Sequence, residues 1–344
     1  MFKNSANTVI RNYAKTSIKV SKKLGILGVP FSKGQGKTGV DLAPDFLREN
    51  GLLTMLNKCN VSISDYGNLK LETHVTSEDN SPYKRIKNYA EFMACNKALI
   101  PRISEVLNEN DMFLILGGDH SIGFGSVAGH LLHTPNLSLV WVDAHADLNL
   151  HSTSYSGNIH GMPVSLLLKE LRKYWLQADL YQFAPKCLPA DQLVYIGLRD
   201  IDPFEDYILN KLNIKAFSMD AIDRFGISKI MEMSLDALKP YNKIHLSFDI
   251  DALDMYVAPS TGTPVRGGLT LTEGLYITDA LRVTGRLQGI DVAEFNPALG
   301  TGDDLESTLN ATMRIIRKAC ADREGKLTGI KENVINLSKE LNEK

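Results

Sequence analysis

The 344-residue sequence predicts an α/β fold in which a mostly parallel sheet is covered by helices on both faces. Two observations carry that prediction. Short, continuously apolar runs recur along the chain, and segments with a 3.6-residue apolar period lie between them. A strand buried on both faces reads as an unbroken apolar run, and parallel neighbours need crossover helices to join them.

In chain order the apolar runs are residues 24–29, 112–116, 137–142, 193–196, 244–248 and 287–292, bounded by Gly, Asp or Pro. The periodic segments are residues 45–56, 89–107, 227–238 and 306–319. Residues 24–320 hold no low-complexity linker and no repeat of 20–50 residues. The polar stretch 72–83 is too short to divide the chain, so a single catalytic domain is expected over residues 24–325, followed by a charged helix or tail at 326–344. In open parallel sheets ligands gather at the carboxyl ends of strands, and the residues with chemistry to offer follow these runs.

Composition excludes several classes. Lys and Arg number 38 against 40 Asp and Glu, too even a balance for a protein held on nucleic acid by phosphate neutralisation. With 44% hydrophobic and 23% charged residues the chain is not of the disordered kind. No stretch approaches the ~18 to 20 apolar residues a membrane-spanning helix needs. Cys59, Cys95, Cys187 and Cys320 form no CxxC pair and read as reduced thiols.

The amino-terminal segment differs from the rest, because its first acidic residue is Asp41. Lys3, Arg11, Lys15, Lys19, Lys22 and Lys23 alternate with hydroxyl residues, while Phe2, Ala6, Val9, Ile10 and Tyr13 share one helical face. An acid-free, basic, amphipathic stretch of this kind is expected to be a mitochondrial transit segment over residues 1–23. The alternative is a basic tail on a cytoplasmic protein. Further on, Gly36-Lys37-Thr38 mimics the end of a phosphate-binding loop, but Phe31 stands where its first glycine is required and Pro30 removes a donor.

Three clusters follow predicted strands: Gly117-Gly118-Asp119-His120, Asp143-Ala144-His145-Ala146-Asp147 and Asp249-Ile250-Asp251. Residues i and i+2 of extended chain point to one side, so each cluster can face one point. Asp143, Asp147, Asp249 and Asp251 could not converge in a buried site without cations. Two divalent ions would neutralise them, with His120 and His145 as nitrogen ligands. A set rich in oxygen and free of sulfur favours an ion such as Mn²⁺ over structural zinc. Of the other histidines, His245 reads as a core or strand residue, and His74, His130 and His133 as surface or helix residues.

These clusters, with Ser156-Gly157-Asn158-Ile159-His160-Gly161, Arg199-Asp200-Ile201-Asp202-Pro203 and Thr261-Gly262-Thr263-Pro264-Val265, resemble the ureohydrolase family, and the arginases in particular. The resemblance runs in order from about Gly25 to Ala319. It implies a three-layer α/β/α fold around a roughly eight-stranded sheet, two Mn²⁺ ions per subunit and a homotrimer. The implied reaction hydrolyses the guanidinium group of L-arginine to L-ornithine and urea by a metal-bridging hydroxide. Carried over residue by residue, His120, Asp143, His145, Asp147, Asp249 and Asp251 are metal ligands, Asp143 and Asp249 bridging. Glu294 pairs with the guanidinium, bidentate and planar; Asp147 passes a proton to the leaving amine; His160 shuttles protons.

For the rest of the substrate, the resemblance assigns Asn149, Ser154 and Ser156 to the α-carboxylate. It assigns Asp202 and Glu205 to the α-ammonium, Asn158 to the same rim and Thr263 to the pocket wall. A site built on Asn149 and Ser156 would leave polar groups unpaired against agmatine. Departures from the arginase pattern are Gly36-Lys37 for Pro-Arg, Ser154 for Thr, Phe204 and Ala252 for glycines, and Thr272 for an intersubunit Arg. Phe204 is expected to tilt Glu205. The alternatives are another ureohydrolase, such as agmatinase, guanidinobutyrase or formiminoglutamase, and a non-catalytic metabolite-binding scaffold. Six intact ligand positions argue against the scaffold, and substrate profiling separates the hydrolases.

Overall fold

The structure is a computed structural model that describes residues 22–71, 82–83, 85–177, 179–300 and 302–321. Its strands are β1 (Lys22–Val29), β2 (Val61–Asn68), β3 (Met112–Gly117), β4 (Leu137–Val142), β5 (Leu193–Leu198), β6 (Lys215–Ser218), β7 (Lys243–Asp249) and β8 (Leu287–Ala293). They form one eight-stranded sheet in the order β2-β1-β3-β8-β7-β4-β5-β6, every pair parallel.

Side-chain alternation along the strands feeds two separate cores. In β3, Phe113 and Ile115 pack on one face with the helices Tyr89–Glu109 and Ile122–His133. Met112, Leu114 and Leu116 pack on the other with the helices Leu271–Val283 and Asp303–Cys320. Trp141 and Val142 of β4 divide in the same way. The result is the three-layer α/β/α arrangement, with both sheet faces covered by helices.

Differences from the expected elements have local causes. β2 and β6 were not expected; they are the two edge strands, and sequences such as Val61-Ser62-Ile63-Ser64-Asp65 lack the unbroken apolar run of a central strand. The helix expected over residues 45–56 is two helices, Ala43–Glu49 and Leu52–Asn57, broken at Gly51, whose φ of 89° lies in the left-handed region. Lys22 and Lys23, assigned to the leader, open β1 and pair with Val61 and Ser62. The remainder of the leader and the 326–344 segment lie outside the described residues, as does His74. Among the described residues, no helix is long and apolar enough to cross a membrane.

The four central strands, β3, β8, β7 and β4, lie side by side. His120 follows β3, Glu294 follows β8, Asp249 ends β7 and Asp143 follows β4. One edge of the sheet therefore gathers residues that are up to 174 positions apart in the chain.

Candidate metal centre

Two groups of ligand-type atoms form at that edge: His120, Asp143 and Asp147, and Asp143, His145 and Asp251, the ligand atoms of each lying within 4.8 Å of one another. His120 Nδ1 is 3.0 Å from Asp143 Oδ2, 3.0 Å from Asp249 Oδ2 and 3.3 Å from Asp147 Oδ2. His145 Nδ1 is 3.4 Å from Asp143 Oδ1 and 3.3 Å from Asp251 Oδ2. Asp143 thus faces one imidazole with each oxygen and joins the two groups. All six residues expected as ligands converge here.

The surrounding chain holds these carboxylates in place. Trp141 Nε1 donates to Asp143 Oδ2 at 2.9 Å, and the Trp141 ring stacks on His120 with centroids 4.0 Å apart. The backbone N–H of His145 donates to Asp143 Oδ1, that of Asp251 to Asp249 Oδ1, and Thr263 Oγ1 to Asp251 Oδ2 at 2.9 Å. Arg199 donates to the carbonyls of Asp251, Ala252 and Val265, tying the loop after β7 to the loop that carries Thr263. Gly118 lets β1 and β3 meet closely, since a Cβ there would lie 1.8 Å from the Phe31 carbonyl oxygen.

The electrostatics demand positive charge. Burial pushes the Asp249 and Asp251 carboxyls up, and neighbouring acids push them further. Burial and the charge of Asp143 raise the Asp147 carboxyl to about 6. Burial pulls His120 and His145 down, but the carboxylates facing them outweigh it and hold both imidazoles well above their ordinary range. Asp147 Oδ2 is buried with His120 Nδ1 beside it at 3.3 Å, and the residue adopts a positive φ of 50°. A non-glycine residue held in the left-handed region within a buried charged cluster marks a functional position. Four buried carboxylates with two imidazoles and no thiol fit hard or borderline divalent cations.

Glu294, also at positive φ (63°), is 1% exposed. Its Oε1 accepts from the His120 backbone N–H at 3.0 Å and faces His160 Nδ1 at 3.0 Å, while its Oε2 accepts from Gln35 Nε2 at 2.9 Å. Both lone pairs of Oε1 are engaged, so a planar two-point grip on a guanidinium requires His160 to release its bond. Burial lowers His160, but its hydrogen bond to Glu294 and the nearby acids bring it up to about 9.

Residues expected at the rim separate into two sets. Asn149 Nδ2 donates to Asp202 Oδ2 at 2.7 Å; Ser154 Oγ and Ser156 Oγ are 3.5 Å apart and accept from the N–H groups of Gly157 and Asn158. Asn158 Oδ1 accepts from Lys87 Nζ. Glu205, in contrast, is buried behind the rim, its oxygens accepting from the backbone N–H groups of Leu148 and Asp202, and burial pushes it up to about 7. It completes a capping box with Asp202 on the helix Pro203–Lys211. The Phe204 ring, half-buried, packs against the core beside it. Thr263 reaches Asp251 rather than only lining the pocket.

Some residues escaped the sequence reading. Gln35 follows β1 at a position that sequence gives no reason to mark. Asp119 is wholly buried, accepts from Gly34 N–H and is raised to about 7 by burial and Glu294. Ser247 and Asp291 are polar residues in central strands, beside His245 and Gln288, a signal legible in the sequence.

A parallel sheet whose central strands end in paired Asp and His ligand groups defines a metal-binding hydrolase of the ureohydrolase class. The arginase family model matches residues 22–321. Human Arginase-1 is 45% identical over 86% of this chain and 92% of its own length. Rat mitochondrial Arginase-2 is 44% identical over 85% of this chain and 82% of its own. The crystal structure of arginase from Bacillus subtilis is 32% identical with a TM-score of 0.77, covering 89% of this chain and all of that one. The chain belongs to the arginase family. It is a hydrolase that converts L-arginine to L-ornithine and urea.

Proposed function

We propose that the enzyme works with two Mn²⁺ ions, one held by His120, Asp143, Asp147 and Asp249, the other by Asp143, His145, Asp249 and Asp251. The observation that carries this is Asp143, whose two oxygens face different imidazoles. When bound, such a pair lowers the pKa of a shared water and supplies a nucleophile at neutral pH. Glu294 receives the substrate guanidinium on Oε2 and on the Oε1 position that His160 vacates. Asp147 would pass a proton to the leaving amine, and His160, raised to about 9, would exchange protons with solvent.

At the far end, Asn149, Ser154 and Ser156 receive the α-carboxylate and Asp202 the α-ammonium. Glu205 acts on the ammonium through the Asp202 N–H that it holds. Asn158 lies on the same rim, and Thr263 steadies Asp251 at the pocket wall. Agmatine lacks the carboxylate, so Asn149, Ser154 and Ser156 would have no anionic partner in it. The chain acts as a homotrimer, with exposed Thr272 changing the subunit contact, and in the mitochondrion, where its acid-free basic leader would direct it.

The test is urea release from L-arginine and agmatine, side by side, after Mn²⁺ incubation and after chelation. Mn²⁺-dependent turnover of arginine alone supports the reading. Turnover of agmatine would sink the rim assignment, and turnover that survives chelation would sink the metal.

A further inference from the structure

Between the sheet and the helix Ile122–His133 runs a string of polar side chains that the reaction does not use. Asp291 in β8, Ser247 and His245 in β7, and Ser126 and His130 in the helix are all completely buried. His130 is thus the expected helix residue, on the buried face of its helix. Asp291 Oδ2 accepts from Ser247 Oγ; Oδ1 accepts from Ser126 Oγ at 2.8 Å and meets His245 Nε2. His245 Nδ1 lies 3.1 Å from His130 Nδ1, and His130 Nε2 lies 3.2 Å from Gln288 Oε1. In the other direction, Ser247 Oγ lies 2.8 Å from His120 Nε2.

A carboxylate this deep persists only where donors surround it. Burial raises Asp291, but the charge and hydrogen bond of His245 and the hydroxyl of Ser247 bring it below the ordinary carboxylate range. The donor count then sets the tautomer of His120. Ser247 has one hydroxyl proton, and it goes to Asp291, which when ionised can only accept. Toward His120 the same oxygen can only accept, so His120 Nε2 carries a proton. When a binding cation displaces the proton between Nδ1 and the carboxylates, the neutral imidazole that remains has a single N–H, on Nε2, and Nδ1 is bare. Nδ1 is the atom that faces Asp143, Asp147 and Asp249.

We propose that Asp291 is a positioning residue for the metal centre: through Ser247 it presents the His120 Nδ1 lone pair to the cation, while Ser126 and His245 hold its other oxygen. This rests on reading His120 as a metal ligand. A carboxylate at the far end of such a chain also raises the basicity of the ligating nitrogen.

The experiment measures Mn²⁺ affinity of the full-length chain by competition with a chromophoric chelator, together with the KM for L-arginine at saturating metal. Asp291→Asn removes the charge and keeps the shape; Ser247→Ala cuts the link and leaves Asp291. Both are expected to weaken Mn²⁺ binding about 10- to 100-fold with KM unchanged. A lower melting temperature with wild-type Mn²⁺ affinity would mean a purely structural role and overturn the proposal. If Asp291→Asn fails to fold, Ser247→Ala decides alone. A His120→Ala variant that binds Mn²⁺ as tightly as wild type would overturn the ligand reading itself, and the positioning role with it.

Discussion

Gln35 Nε2 donates to Glu294 Oε2 at 2.9 Å, joining the loop after β1 to the end of β8 across 259 residues of sequence. Gln35 Oε1 in turn accepts from the backbone N–H of Lys37, and Lys37 Nζ donates to the Gly262 carbonyl. The loop after β1 is thereby strapped to Glu294 and to the loop that carries Gly262, and the Gln35 amide cannot rotate away without losing a bond.

Gln35→Ala should therefore loosen Glu294 without touching a metal ligand. A hydrogen bond to a charged group contributes about 1.5–3 kcal/mol, so kcat/KM for L-arginine should fall roughly 10- to 100-fold. Steady-state kinetics with a parallel metal assay checks this. Wild-type kinetics in the variant would refute a positioning role for Gln35.

Metal loading should depend steeply on pH. His120 and His145 are held protonated well above their ordinary range, so each must release a proton to a binding cation. The apparent affinity should rise with pH, about tenfold per pH unit for each proton displaced. Below about 6, Asp147 is also protonated, and the fall in affinity should steepen further. Calorimetric titration in buffers of different ionisation enthalpy counts the protons. A pH-independent affinity is incompatible with this arrangement.

Gly118→Ala forces a Cβ against the Phe31 carbonyl, where backbone has to shift. The expected loss of stability is about 3 kcal/mol or more. Gly36→Ala, with nothing within 4 Å of the added atom, should stay within about 0.5 kcal/mol of wild type. Denaturant unfolding of the two variants makes the comparison, and equal losses would contradict the close approach.

Asp202→Ala should show two separable effects. Loss of the N-cap on the helix Pro203–Lys211 costs about 1 kcal/mol of stability. Loss of a charged partner for the substrate ammonium should raise KM about tenfold or more, with a smaller change in kcat. A melting-temperature drop with unchanged KM would remove Asp202 from substrate recognition.

Sequence by itself determined the α/β class, six of the eight strands, including all four central ones, and every residue of the two ligand groups. Those features are local: an apolar run long enough to be buried twice, followed at once by acids and imidazoles, has few other uses. The edge strands β2 and β6 stayed hidden because one side of each has no neighbouring strand and their sequences are correspondingly polar. Tertiary structure alone decided which side chains stand behind the ligands. Gln35 beside Glu294, Glu205 against the Leu148 N–H, and Asp291 linked through Ser247 to His120 are contacts between residues 259, 57 and up to 127 positions apart. Whether a carboxylate binds substrate or holds a neighbour depends on which donors surround it, and strand order β3-β8-β7-β4 brings those donors together. No spacing along the chain encodes that order.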